Sequence, residues 1–185
     1  MTHPKCQTAY GVDGILSSIA YKGIVKKLLY QFKYHPYLSD LKVILGRLLY
    51  EGLIQQEAYE RFVSGKNVWI TAVPLHKSRE RRRGYNQSEL LAKELSKALN
   101  IEYVPSILGR IKATKPQFEL KKEERIKNIL GAFRVNSKFQ NSLKGKRIIL
   151  VDDIATSGAT IRECGKILKQ SGADNVLGVT LAHEG

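Results

Sequence analysis

Apolar residues fall along this chain in two spacings: continuous runs that suit strands buried on both faces, and a three-to-four-residue recurrence that suits helices packed on one side. Ile148–Val151 is such a run and Val176–Leu181 is another. Between them a helix is predicted through Gly165 to Ser171-Gly172, which makes a strand–helix–strand unit of parallel-crossover length. Val68–Val73 predicts a third strand, closed by Pro74, while Ile15–Tyr21 and Ile101–Val104 predict further short ones. Ile24, Val25, Leu28, Leu29 and Phe32 recur at helical spacing. After a break at His35-Pro36, Leu41, Leu45, Leu48 and Leu49 do so again from an N-cap at Ser39 or Asp40, and the two helices are expected to cover a sheet face. A further helix is expected from Asn86, with Glu89 placed to close a capping box and Leu91, Leu95, Ala98 and Leu99 turned inward. Residues 109–128 lack a strong apolar period and contain Pro116, so they read as a mobile loop. The pattern as a whole is α/β, with a mostly parallel central sheet flanked by helices.

Composition narrows this to one domain. A chain of 185 residues with 43% hydrophobic content buries a substantial core, and no apolar run approaches the roughly 20 residues that span a bilayer. No signal-peptide core is evident, so membrane insertion is not expected and the expected compartment is the cytoplasm. Cys6 and Cys164 are too few for a disulfide framework. Cys164 is expected to be packed, and His3-Pro4-Lys5-Cys6 lacks the second ligand pair that a zinc knuckle needs. A formal charge of +14 favours polyanionic partners, a diphosphate-bearing sugar or a nucleic acid alike. Lysines such as Lys26, Lys27, Lys93 and Lys97 suit solvated helix faces. Lys77-Ser78-Arg79-Glu80-Arg81-Arg82-Arg83 is different, because it places five cations within seven residues directly after a strand.

The chemistry concentrates where Ile148–Val151 ends. Asp152 and Asp153 fall at the carboxyl edge of that strand, the edge where open α/β sheets bind ligands. The turn that follows, Ala155, Thr156, Ser157, Gly158, Ala159 and Thr160, offers backbone N–H groups, three hydroxyls and a glycine at the positive end of a helix. Such a turn cradles a phosphate, while the carboxylates suit sugar hydroxyls or Mg²⁺, a hard cation that takes oxygen ligands. A polar strand-to-helix turn with an ordinary N-cap would read the same way over so short a span. The full run from strand to Thr160 resembles the 5-phosphoribosyl 1-diphosphate (PRPP) motif of type I phosphoribosyltransferases.

Two further segments make the resemblance narrower. Val73-Pro74-Leu75-His76 followed by Arg79 and Arg82-Arg83-Gly84-Tyr85-Asn86-Gln87 is one, and Arg110, Thr114, Gln117, Leu120, Glu124-Arg125, Asn128 and Gly131-Ala132-Phe133 is the other. Together with residues 147–162 they resemble the ComF/GntX family of phosphoribosyltransferase-like proteins, and more distantly the transferase half of amidophosphoribosyltransferases. The resemblance implies a type I phosphoribosyltransferase fold over residues 24–185, with residues 1–23 as an N-terminal segment contributing to a small hood. It implies diphosphate binding by the turn at Leu75, His76 and Lys77, with Arg79 or Arg83 as charge partner, and 5-phosphate binding by residues 155–160. It implies that Arg110, Thr114, Gln117 and Arg125 sit on a flexible loop closing over the sugar. Asp152 and Asp153 would hold ribose hydroxyls and Mg²⁺ through water, and with Arg110 and Arg125 would form the catalytic set. The reaction implied is phosphoribosyl transfer from PRPP to an acceptor that no residue identifies. The alternative is a non-catalytic module that senses PRPP or a nucleotide and binds single-stranded DNA in competence, with Tyr30, Phe32, Tyr34 and Tyr37 around Lys33 as a stacking platform. Many members carry an N-terminal four-cysteine zinc ribbon; only Cys6 matches here, so the ribbon is expected to be absent.

Overall fold

The computed structural model describes residues 11–34, 38–114 and 122–184; His35, Pro36, Tyr37, Gln117 and Cys6 lie outside them. In chain order the elements are β1 (Gly14–Ala20), α1 (Gly23–Lys33), α2 (Leu41–Ile54), α3 (Glu57–Val63), β2 (Val68–Ala72), α4 (Lys77–Arg83), α5 (Gln87–Leu99), β3 (Leu108–Arg110), α6 (Lys122–Ile129), β4 (Phe133–Val135), β5 (Arg147–Ala155), α7 (Ala159–Gln170) and β6 (Asn175–His183). β1, β6, β5 and β2 form a four-stranded sheet in that order, parallel throughout. The two central strands are the two longest apolar runs, as burial on both faces requires.

Alternation along β5 divides the core in two. Ile149 and Val151 point into a cluster with Leu29 and Phe32 of α1, Leu45 and Leu49 of α2, and Leu91 and Leu95 of α5. Ile148 and Leu150 point the other way, into a cluster with Ile161, Cys164 and Leu168 of α7 and with Leu108 and Phe133 of the antiparallel β3–β4 hairpin. The expected helix pair therefore does cover one sheet face. Contact between α7 and β6 is close enough to require Gly178, where an added Cβ would sit 2.4 Å from Ile161 Cγ2.

Several elements differ from the pattern-based reading. Ile15–Tyr21 becomes β1, the edge strand paired with β6, so a boundary drawn at residue 23 separates a sheet strand from the sheet it belongs to. Ile101–Val104 makes only a bridge, Ile70 to Tyr103, at the opposite edge. The stretch 109–128, expected as loop throughout, contains part of β3 and most of α6, whose apolar positions were too few to show a period. Asn86 caps α5 as expected, accepting from the Ser88 N–H at 3.1 Å. Glu89 does not complete a capping box but forms an ion pair with Lys93 at 2.8 Å. The basic run 77–83 is the short helix α4, begun by His76, whose ring accepts from the Ser78 N–H, and ended at Gly84 with φ 85°. Three arginines in its last turn complement the negative end of the helix.

Candidate active site

The carboxyl ends of β2 and β5 open into a cleft of about 720 Å³. β5 runs on through both aspartates, with Asp152 opposite Thr180 in register, so the acidic pair belongs to the rigid strand rather than to the loop beyond it. Asp153 follows Ile149 and Val151 toward α1 and is 3% exposed; Lys33, the last residue of α1, reaches it with Nζ 2.8 Å from Oδ2. Burial opposes the ammonium charge, but the Asp153 carboxylate outweighs it and raises the Lys33 pKa. Asp152 Oδ1 accepts from Ser88 Oγ at 2.8 Å and from the Asp153 N–H at 2.9 Å. Burial, and then the neighbouring Asp153 charge, nevertheless push its carboxyl up to about 7. Ser88 is in place because Asn86, besides capping α5, donates through Nδ2 to the Val73 carbonyl at 3.0 Å and ties that helix to the end of β2.

On the other side of the strand end, Thr156, Ser157 and Gly158 lead into α7. Gly158 takes φ 69°, which a side chain would strain, and an added Cβ would lie 2.9 Å from Ile15 Cδ1. Gly158 is the N-cap, Ser157 Oγ accepts from the Ala159 N–H at 3.4 Å, and the first turn of α7 carries no acidic residue. Arg162, one turn on, donates to the Ser157 carbonyl and braces the turn.

The third wall is cationic. Arg79 Nη2 donates to the Thr114 carbonyl at 2.6 Å, and Arg110 Nη2 donates to the Thr114 hydroxyl, so Thr114 joins two guanidinium groups. Burial, and then the Arg79 charge, lower the Arg110 pKa. Its Nε is buried without a hydrogen-bond partner among the described residues, and its guanidinium carbon lies 5.3 Å from the Phe133 ring centroid. Arg83 donates to Gln87 Oε1, and Arg125 of α6 lies 4.0 Å from Glu184 beyond β6. Six cations and three carboxylates line the cleft, leaving a positive excess suited to an anion.

The site thus joins paired aspartates at a strand end, the start of a helix and a cationic wall. The phosphoribosyl transferase domain model matches residues 86–184, from the α5 cap to the end of β6, which is more than half of the chain. The chain belongs to the phosphoribosyltransferase family. Within it the curated relatives are of ComF type: Competence protein F of Haemophilus influenzae is 37% identical over 58% of this chain and 46% of that one. The DNA utilization protein YhgH of Escherichia coli K12 is 32% identical over 79% of this chain and 61% of its own. Competence protein ComFC of Bacillus subtilis is 30% identical over 84% and 58%. The chain thus spans between 46% and 61% of the lengths of these three relatives. A solved allosteric regulatory enzyme of purine biosynthesis overlays on 77% of the chain and 25% of its own, with a TM-score of 0.48 and 19% identity.

In this chain Leu75, Arg79, Arg83, Arg110, Arg125, Asp152, Asp153, Thr156 and Thr160 line this cleft together. Others named by the motifs are not among its lining residues. His76 is occupied as the cap of α4, with Ser78 Oγ 2.7 Å from its Nδ1, and Lys77 is exposed. Ala155 closes β5 with its carbonyl accepting from the Glu184 N–H, and Ala159 is buried in the first turn of α7. Ser157 and Gly158 shape the turn rather than line the cleft, Thr114 bridges the two arginines behind it, and Gln117 lies outside the described residues. Pattern reading missed Ser88, Tyr21 and Glu184 as lining residues, and Arg82, part of the basic motif but given no site role, lines the cleft as well. Lys33 shares its helix with Lys26 and Lys27, so nothing in the sequence singled it out.

Proposed function

We propose that this cleft binds PRPP with Mg²⁺ and transfers its phosphoribosyl group to an acceptor. The observation that carries the reading is the convergence of Asp152 and Asp153, the start of α7 and the Arg79–Thr114–Arg110 cluster on one cavity. On this reading the positive end of α7 takes the 5-phosphate, with Thr156 and Thr160 on the cleft beside it. The carboxylates hold the ribose hydroxyls. Arg110, buried with one donor unused, gains an acceptor when a diphosphate arrives, and Arg79 and Arg83 share that charge. As the bond to the anomeric carbon lengthens, negative charge collects on the leaving diphosphate, and these guanidinium groups stabilise it where it develops.

The residues present fit Mg²⁺, since two adjacent carboxylates are hard oxygen donors and the raised Asp152 pKa marks a carboxyl that a cation would favour in its ionised form. No cluster of three or more His, Cys, Asp or Glu stands among the described residues, so Asp152 and Asp153 would hold the ion with phosphate, hydroxyl or water oxygens completing its shell. When bound it supplies charge neutralisation at the diphosphate. Lys33 then exchanges its partner, moving from Asp153 toward the incoming anion.

The test is thermal stabilisation by PRPP in Mg²⁺. Millimolar PRPP is expected to raise the midpoint of the wild-type chain by several degrees, and Asp152→Asn with Asp153→Asn to abolish the rise. A wild-type midpoint that does not move overturns the reading. Release of diphosphate from PRPP, assayed against a panel of bases and amines, separates turnover from binding alone.

A second reading draws on the relatives, whose names place them in competence and DNA utilization. Here the pocket reports occupancy while the exposed face of α4, with Arg81 and Arg82, engages single-stranded DNA.

A further inference from the structure

The end of α1 is fixed in place. Leu29 and Phe32 are fully buried, the Tyr85 hydroxyl donates to the Phe32 carbonyl at 2.8 Å, and the Tyr34 N–H closes the last turn on the Tyr30 carbonyl at 2.8 Å. Lys33 lies between these anchors in sequence. Lys26 and Lys27 of the same helix are exposed, whereas the Lys33 side chain is 20% exposed and its Nζ lies 2.8 Å from Asp153 Oδ2, a buried atom. Arginines of the cleft have partners elsewhere: Arg79 and Arg110 at Thr114, Arg83 at Gln87 and Arg125 at Glu184. Among the described residues the acidic pair therefore has one ion-pair partner, and the chain itself supplies it.

Such a partner changes what the carboxylates accept. A divalent cation that enters alone must take Asp153 from an ammonium already in contact with it, and that ammonium is then left largely enclosed without a counter-charge. An anion that enters alone meets a Lys33 already neutralised by Asp153. A metal ion and an anion entering together avoid both costs, because the metal takes the carboxylate and the anion takes the ammonium, which lines the same cleft as Arg79, Arg83 and Arg110.

We infer that Lys33 is a resident counter-ion, a positioning residue that closes the acidic pair to a free divalent cation and opens it to a metal ion arriving with an anion. The inference rests on the reading of the cleft as a site for Mg²⁺ and a sugar diphosphate, and it names the form in which that ligand enters. Coupling of this kind is reciprocal: whatever factor the anion adds to metal affinity, the metal adds to anion affinity. Lys33 sets that factor, since in its absence the metal has no cation to displace.

The experiment titrates the full chain with Mn²⁺, which takes the same oxygen donors as Mg²⁺ and whose free ion is counted by electron paramagnetic resonance. Wild type, Lys33→Gln and Lys33→Arg are compared with no anion present, and thermal stabilisation of the wild type by PRPP in Mg²⁺ is measured in parallel. Gln keeps a donor for Asp153, and Arg keeps the charge. Lys33→Gln is expected to bind Mn²⁺ about tenfold more tightly than the wild type, Lys33→Arg to stay as weak as the wild type, and Asp153→Asn added to Lys33→Gln to erase the gain. A residue that merely braced α1 would not give a variant that binds metal better. No gain in Lys33→Gln, or an equal gain in Lys33→Arg, overturns the inference even if PRPP stabilises the protein. A gain in Lys33→Gln without stabilisation by PRPP keeps the counter-ion and removes the sugar-diphosphate reading. The wild type carries a second test that needs no variant. Mg²⁺ and inorganic diphosphate together are expected to raise its melting midpoint by more than the sum of their separate effects, and a strictly additive rise overturns the inference.

Discussion

Asp152 and Asp153 are adjacent in sequence and unequal in surroundings. Asp153 is paired with Lys33, whereas Asp152 is half-buried and held by hydrogen bonds, and desolvation and the Asp153 charge raise its carboxyl to about 7. The consequence for stability has a definite sign. An unfolded aspartate ionises near 3.9, so between about pH 4 and 7 the folded chain holds a proton that the unfolded chain has lost. Stability from this group is therefore complete below pH 4 and is lost as pH rises through 7. Asp152→Asn escapes the loss and is expected to be more stable than wild type by roughly 1–3 kcal/mol at pH 8, with the gap closing toward pH 5, as paired thermal melts across that range would record. Stabilisation by PRPP with Mg²⁺ is expected to run the other way in the wild type, growing from pH 6 to 8 as Asp152 ionises. Neither the pairing with Lys33 nor the inequality of the acids was legible in Asp-Asp as a motif, because both depend on where α1 ends.

Elements carry the site where their ends meet. α7 begins a short turn beyond β5, and its start is shaped by Gly158 at φ 69° and by Ser157 Oγ, which accepts from the Ala159 N–H. Gly158→Val strains the backbone and drives Cβ toward Ile15 of the edge strand, so it is expected to cost about 1–3 kcal/mol and to weaken PRPP binding more than tenfold. Chemical denaturation measures the first effect and thermal shift with PRPP the second; a destabilised variant with intact binding would show that the turn is structural only. The turn itself was readable, since a strand, small polar residues and a glycine in a fixed order say what the backbone must do. α4 was not. Its residues are nearly all charged and bury nothing, so no apolar period marked it, and only the cap at His76 and the glycine at 84 carried a helical signal. α6 escaped for the same reason.

At the scale of the whole molecule the governing quantity is the charge of +14 and its distribution. The cleft uses part of it; Arg81 and Arg82 are exposed on α4, the second at the lining of the cleft. If the surface engages single-stranded DNA, Arg81→Ser with Arg82→Ser is expected to reduce the slope of log affinity against log salt by about 1–1.5, measured by fluorescence anisotropy from 50 to 200 mM salt. An unchanged slope removes α4 from the interface. No helix among the described residues is long and apolar enough to cross a membrane, which agrees with the absence of long apolar runs. The sequence by itself determined what depends on neighbours along the chain: the apolar strands and amphipathic helices, the α/β class, the phosphate-type turn and the acidic pair. Only the tertiary structure decided what depends on distance in space. It made β1 a sheet edge beside β6, brought Lys33 and Ser88 onto the two aspartates, joined Arg79 and Arg110 through Thr114, and set Tyr30 and Tyr34 on the cleft while burying Phe32. Backbone preference and periodicity are local and can be read from the sequence, whereas partners more than a hundred residues apart meet only when the sheet order and helix packing place them together.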